Sequence, residues 1–277
     1  MSERLDRTGA ENISALPYRA PLPPPATPPG WRPGPPDFVG VGTFRSGTSW
    51  WHHILTSHPV VARPPGQPKE VHYFGQFGDG RRGPDAAAYH AYFPRPEGSI
   101  GGEWTPRYMF DRWTAPMLAR VAPDARLLVL LRDPIDRARS GLTYVARMRA
   151  ADPAAASGPL LDDTMIEREF IRSLYADQLD RLLAAFPAEQ ILIQQYEHCV
   201  ADPAGQARAM FEFLALDPER VPVTAALRRP RNATSGAKIE VGRELDEVAR
   251  AALRADLDRL AARFPEIDLD RWPSSKL

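Results

Sequence analysis

Short apolar runs alternate along this chain with longer stretches in which apolar and charged residues recur at helical spacing. Residues 37–42 (Asp-Phe-Val-Gly-Val-Gly) read as a strand, and residues 50–57 have helix-compatible composition after a Gly/Ser/Thr turn. Residues 126–131 read as a second, buried strand, and a helix is predicted over 135–148, where Pro134 suits a helix start. One long amphipathic helix over 166–185, a third strand over 191–194, a helix over 203–214 and helical spacing over 246–264 follow, and the chain closes with 267–272. Strands alternating with helices in this order predict an α/β fold, a parallel sheet flanked by helices. No period of 20 to 50 residues points to a solenoid.

Composition sets the first 36 residues apart. Ten of the 30 prolines fall there, a density that disfavours regular helix and sheet, so 1–36 is read as a Pro-rich disordered tail and 37–277 as one domain. The single cysteine, Cys199, supports neither an internal disulfide nor a multi-cysteine zinc site and fits a reducing, cytoplasmic setting. No segment approaches the roughly 20 apolar residues that cross a bilayer, and the first residues lack a signal-peptide pattern. A formal net charge of zero argues against a nonspecific nucleic-acid partner, while leaving room for a local basic cleft. Of 35 basic residues only Lys69, Lys238 and Lys276 are lysines, so this chain normally uses arginine where it needs a cation.

Gly42-Thr43-Phe44-Arg45-Ser46-Gly47-Thr48-Ser49 lies between a predicted strand and helix, where backbone N–H groups and a helix start form an anion site. The glycine spacing is that of a Walker loop, but Thr48 stands where a nucleotide triphosphatase needs lysine, and the cation is Arg45 inside the loop. Leu131 is followed by Arg132 before Asp133, so no second strand ends directly in a magnesium-binding aspartate, and no metal is expected. A plain strand-to-helix turn without ligand is the competing reading of this loop.

Thr43 to Trp50 resembles the 5′-phosphosulfate loop of sulfotransferases that use 3′-phosphoadenosine 5′-phosphosulfate (PAPS). The resemblance implies a P-loop-like single domain, a donor loop of Arg45, Ser46, Gly47, Thr48 and Ser49, and stacking of Trp50 on adenine. Core packing is the alternative for Trp50 and Trp51. Residues 130–140 resemble the family's 3′-phosphate motif, with Arg132 and Ser140 at the matching spacing, although Arg132 could instead pair with Asp133 at a helix start. Residues 70–74, 103–108, 172–175, 186–187, 196–197 and Trp272 follow the heparan-type carbohydrate sulfotransferases in order.

The implied activity is sulfuryl transfer to a hydroxyl of a carbohydrate, lipid or small-molecule natural product. By resemblance Glu70 is the general base, His72 either supports it from behind or contacts the substrate, and Arg45 steadies the charge on the leaving phosphate. The base belongs to the set His52, His53, Glu70 and His72; a Lys69–Glu70 surface pair is the bland reading of that carboxylate. Lys69 and Lys238 each fall where a phosphate or sulfate could be met, Lys238 in a basic Gly/Ser stretch placed like the family's donor lid, or in a solvated loop. Trp104 replaces a lysine of the heparan-type pattern and points to a neutral, partly apolar acceptor, bound by segments 75–115 and 145–170. A P-loop kinase and a non-catalytic nucleotide-binding protein are the alternatives. The pattern leaves the oligomeric state open.

Overall fold

A computed structural model describes residues 21–151, 163–222, 224 and 243–276. Four strands, β1 (Phe38–Gly42), β2 (Gly102–Trp104), β3 (Arg126–Leu131) and β4 (Ile191–Gln195), form one wholly parallel sheet in the order β2-β1-β3-β4. The period of two in the side chains decides how it is covered. Val39 and Val41 of β1 and Leu127, Val129 and Leu131 of β3 enter one apolar core, while Phe38, Leu128 and Leu130 enter the core on the opposite face. Burial on both faces is why β3 is a continuous apolar run with no polar alternation.

Helices among the described residues cover both faces: α1 (Thr48–Leu55), α2 (Ala86–His90), α3 (Thr114–Val121), α4 (Pro134–Ala151), α5 (Asp163–Ile171), α6 (Ala176–Leu183), α7 (Tyr196–Ala201), α8 (Pro203–Phe213) and α9 (Arg243–Arg263). The α/β expectation holds, with two differences. β2 has only three residues, too few for a readable period. The helix expected over 166–185 is two helices, because Asp256 of α9 accepts the backbone N–H groups of Tyr175 (2.8 Å) and Ala176 (3.1 Å) and so starts α6 afresh.

Residues 1–20 of the expected tail lie outside the described residues. Over 21–36 the chain is irregular but packed on the domain: Arg32 bridges Arg95, and the Tyr92 hydroxyl donates to the Leu22 carbonyl. Proline removes N–H donors yet keeps its carbonyl, so a proline-rich segment can still dock by accepting.

Candidate active site

The loop between β1 and α1 is tied from inside. The Thr43 amide and hydroxyl both donate to the Leu130 carbonyl, at 2.9 and 3.0 Å, and the Thr43 and Ser46 hydroxyls lie 2.6 Å apart. Ser46 is fully buried, so its side chain shapes the loop and has no surface to offer a donor. Gly47 precedes α1 at φ 87°, a left-handed conformation, and a Cβ there would stand 2.8 Å from the Tyr196 ring. Gly47→Ala is therefore expected to destabilise by at least the ~1–2 kcal/mol of a left-handed non-glycine residue, read as a lower urea midpoint. An unchanged midpoint would contradict this account of the turn.

Arg45, Arg132 and Ser140, drawn from two motifs, meet here. Arg45 Nε donates to the Ser140 hydroxyl at 3.2 Å, and Arg132 Nη1 donates to the Arg45 carbonyl at 3.3 Å. The Arg132 guanidinium lies 4.7 Å from the Tyr196 ring centroid, and its Nε is buried without a hydrogen-bond partner. Burial first, and then the charges of Arg132 and Arg147, push the Arg45 guanidinium below the ordinary arginine value. Like charges held together beside a helix start, with an unused buried donor, fit a phosphorylated ligand. Asp133 is not the partner of Arg132, which pairs with Asp136 at 3.0 Å. Asp133 instead accepts from the amides of Asp136 (2.8 Å) and Ser274 (2.9 Å), and Glu197 binds the Asp133 amide and the Trp272 indole N–H, both at 3.0 Å. Those carboxylates hold the closing segment against the second motif.

Lys69 links the loop to the expected base. Its Nζ donates to Thr48 Oγ1 at 3.0 Å, Ser49 Oγ at 3.3 Å and Glu70 Oε1 at 3.0 Å, while His72 Nε2 lies 3.3 Å from Glu70 Oε2. Burial alone would raise the Glu70 carboxyl, but the hydrogen bond from His72 and the Lys69 charge outweigh it and hold the group below the usual glutamate range. Glu70 is thus ionised at neutral pH and able to accept a proton.

Behind this pair stands Glu103, fully buried on β2. It accepts from the Val71 amide (2.9 Å), the Tyr89 hydroxyl (2.8 Å), the Tyr108 hydroxyl (3.1 Å) and the Thr105 hydroxyl (2.5 Å). Thr105 Oγ1 in turn accepts from the His72 amide at 3.3 Å, so the left-handed turn at His72 (φ 56°) is held from both sides.

His52 is set apart from the base candidates by depth. Burial, with Lys69 and Arg63 nearby, lowers it to about 3. From pH 6.5 down to about 3 the unfolded chain binds a proton that the folded chain does not. Stability therefore rises with pH through that window, by about 1.4 kcal/mol per unit for one proton. Urea midpoints between pH 7 and 5 are expected to slope less in His52→Gln than in the wild type; equal slopes would contradict the assignment.

A cleft of about 240 Å³ opens beside this group, lined by Thr43 and Phe44 of the loop and by Glu70 and His72. Pro106, Arg107, Phe110, Tyr144, Val145, Arg168 and Arg172 complete most of its wall. Only part of it comes from the two segments expected to hold the acceptor. Arg172 lies in a stretch that follows the heparan-type order, whereas Tyr144 was legible only as a member of a helix.

Two expectations about tryptophans change, those for Trp50 and Trp104. Trp50 and Trp51 are both fully buried, edge to face at 4.9 Å, and the Trp51 indole donates to Gln194 at 2.8 Å. Trp50 has no open face for adenine, because α1 turns both rings into the core below the sheet. Trp104 is buried as well, packed where a Cβ on Gly40 would be 2.1 Å from its ring, so it faces β1 and carries no information on the acceptor. Lys238 and the basic stretch around it lie outside the described residues. Among the described residues no group of three His, Cys, Asp or Glu side chains could hold a metal ion, and no helix is long and apolar enough to cross a membrane.

Residues 36–220 match the family model described as "Sulfotransferase family". The chain belongs to the sulfotransferase family. As a sulfotransferase-family chain it is 32% identical over 211 residues to heparan sulfate glucosamine 3-O-sulfotransferase 6 of Mus musculus, covering 73% of this chain and 58% of that protein. It is 31% identical over 189 residues to heparan sulfate glucosamine 3-O-sulfotransferase 3A1 of Mus musculus, covering 65% and 46%. The chain thus spans about half the length of the curated relatives it matches. The crystal structure of a sulfotransferase from Alicyclobacillus acidocaldarius superposes with a TM-score of 0.62 at 27% identity, covering 86% of this chain and 99% of that one.

Proposed function

We propose that this protein transfers the sulfuryl group of PAPS to an acceptor hydroxyl bound in the cleft. The observation that carries the reading is the placement of Lys69, which touches the donor-loop hydroxyls Thr48 and Ser49 and the Glu70 carboxylate at once. The donor supplies an already activated sulfuryl group with a stable nucleotide leaving group. What the chain must supply is in-line placement, a base, and cations where charge develops on the departing phosphate.

Glu70, ionised and open to the cleft, takes the acceptor proton. His72 orients that carboxylate from its other oxygen. Lys69 and the first turn of α1 meet the 5′-phosphosulfate. Arg132 and Ser140 hold the 3′-phosphate, and Arg45, now donating to Ser140, stands between the two phosphate positions. The relatives are named for a heparan sulfate glucosamine acceptor, which supports a hydroxyl-bearing acceptor for this chain.

The test is incubation of the full chain with PAPS labelled in the sulfuryl group and a panel of hydroxyl acceptors. Labelled product forming together with 3′-phosphoadenosine 5′-phosphate (PAP) is expected. Phosphoryl transfer from ATP in place of sulfuryl transfer would overturn the reading.

A further inference from the structure

Arg132 stands one residue past the end of β3, whose last residue, Leu131, still pairs with Gln195 of β4. Beyond that point side chains hold the backbone. The Tyr175 hydroxyl donates to the Arg132 carbonyl at 2.9 Å, and the Ser173 hydroxyl donates to the Pro134 carbonyl at 2.8 Å. The turn that carries Arg132 is therefore tied to residues 173–175 by two hydroxyl donors. Tyr175 is fully buried, and burial pushes its hydroxyl above the ordinary tyrosine value, so it stays protonated and donates at neutral pH.

Tyr175 is placed in turn by a distant helix. Asp256 of α9, itself buried, accepts from the amides of Tyr175 and Ala176. Leu257 and Leu260 of α9 share one core with Tyr175, Leu179 and Leu182. Leu253 packs with Ile135, Ala138 and Leu142 of α4, the helix that carries Ser140. The exposed pairs of Arg259 with Asp177 and Asp180 add little to that burial. α9 thus reaches both parts of the second motif, although it lies beyond the residues 36–220 that match the family model.

Resting on the donor reading above, we propose that α9 sets the selectivity of this site for a 3′-phosphate, with Tyr175 and Asp256 as positioning residues for Arg132. Asp256 fixes the backbone of Tyr175, and the Tyr175 hydroxyl fixes the main chain at Arg132. A small rotation there is magnified at the end of a side chain as long as that of arginine. The two-pronged contact of a guanidinium with phosphate depends on orientation, so a loosened Arg132 keeps its charge and loses the geometry.

The experiment titrates the full chain calorimetrically with PAP and with adenosine 5′-phosphate (AMP), which lacks the 3′-phosphate, and reads the ratio of the two affinities. Tyr175→Phe, which keeps the ring and removes one oxygen, is expected to reduce that ratio ~3- to 30-fold, the span of couplings carried through a contact network, while AMP affinity stays within a few-fold of wild type. Asp256→Asn, which sets an NH₂ group against one of the two amides, is expected to move the ratio the same way. In an Arg132→Ala background neither substitution is expected to change it further. A merely structural role would lower stability, or both affinities together, and leave the ratio in place. That result, or a fall of equal size in the Arg132→Ala background, would overturn the inference. Should Asp256→Asn fail to fold, Tyr175→Phe decides alone. A wild type that binds PAP no better than AMP, or a ratio indifferent to Arg132→Ala, would instead overturn the donor reading, and this inference with it.

Discussion

Glu70→Gln is expected to lower kcat by about 10²- to 10⁴-fold, the contribution of a positioned general base, while PAP affinity stays within a few-fold of wild type. The substitution keeps the size of the side chain and a hydrogen-bond acceptor for Lys69, so the loop contacts to Thr48 and Ser49 have no reason to move. It removes a carboxylate that lines the cleft and is held ionised by its neighbours, the one such group in the cleft among the described residues. Because His72 and Lys69 pull that carboxyl below the usual glutamate range, the acid limb of kcat/KM for the wild type is expected below that range and not near the ordinary histidine value. A variant retaining more than a tenth of wild-type kcat would place the base elsewhere.

Lys69→Ala is the second large effect, about 10²- to 10³-fold in kcat, the size seen when one preorganised donor to developing charge is removed. It carries a signature that simple loss of packing would not. Lys69 helps to hold Glu70 low, so the acid limb of kcat/KM is expected to move upward in the variant. Parallel pH–rate profiles for wild type and Lys69→Ala show whether the limb moves. A variant with wild-type kcat, or a reduced kcat with an unmoved limb, would contradict a lysine shared between donor loop and base.

Much of this site was legible in the chain because its parts are local. Gly42 to Ser49 and residues 130–140 each contain a strand end, a turn and a helix start, so their spacing fixes their geometry wherever the strands lie. The sequence could not say that Arg45 would donate to Ser140, since that contact spans 95 residues and depends on β1 and β3 being neighbours. Trp50 and Trp104 were misjudged for the same reason. Which face of the sheet a ring meets is decided by tertiary packing, and both rings belong to the core that also holds Phe38, Leu128 and Leu130.

Lys69 was visible as one of three lysines, but its reach to Thr48 and Ser49 was not. The four donors around Glu103 come from Val71, Tyr89, Thr105 and Tyr108, and no periodic pattern relates them. The break before α6 has a similar origin: Asp256, about 80 residues away, accepts the amides that a continuous helix would have used internally. Local chemistry was readable, whereas partners supplied by distant segments were not.

The central claim is that the paired loops bind a nucleotide carrying a 3′-phosphate, and calorimetric titration with PAP and with ATP plus magnesium tests it most directly. PAP is expected to bind without added metal and more tightly than ATP, and Arg132→Ala is expected to weaken PAP by about 10- to 100-fold, the worth of a charge-assisted phosphate contact. Preference for ATP with magnesium, or PAP binding indifferent to Arg132→Ala, would contradict the account.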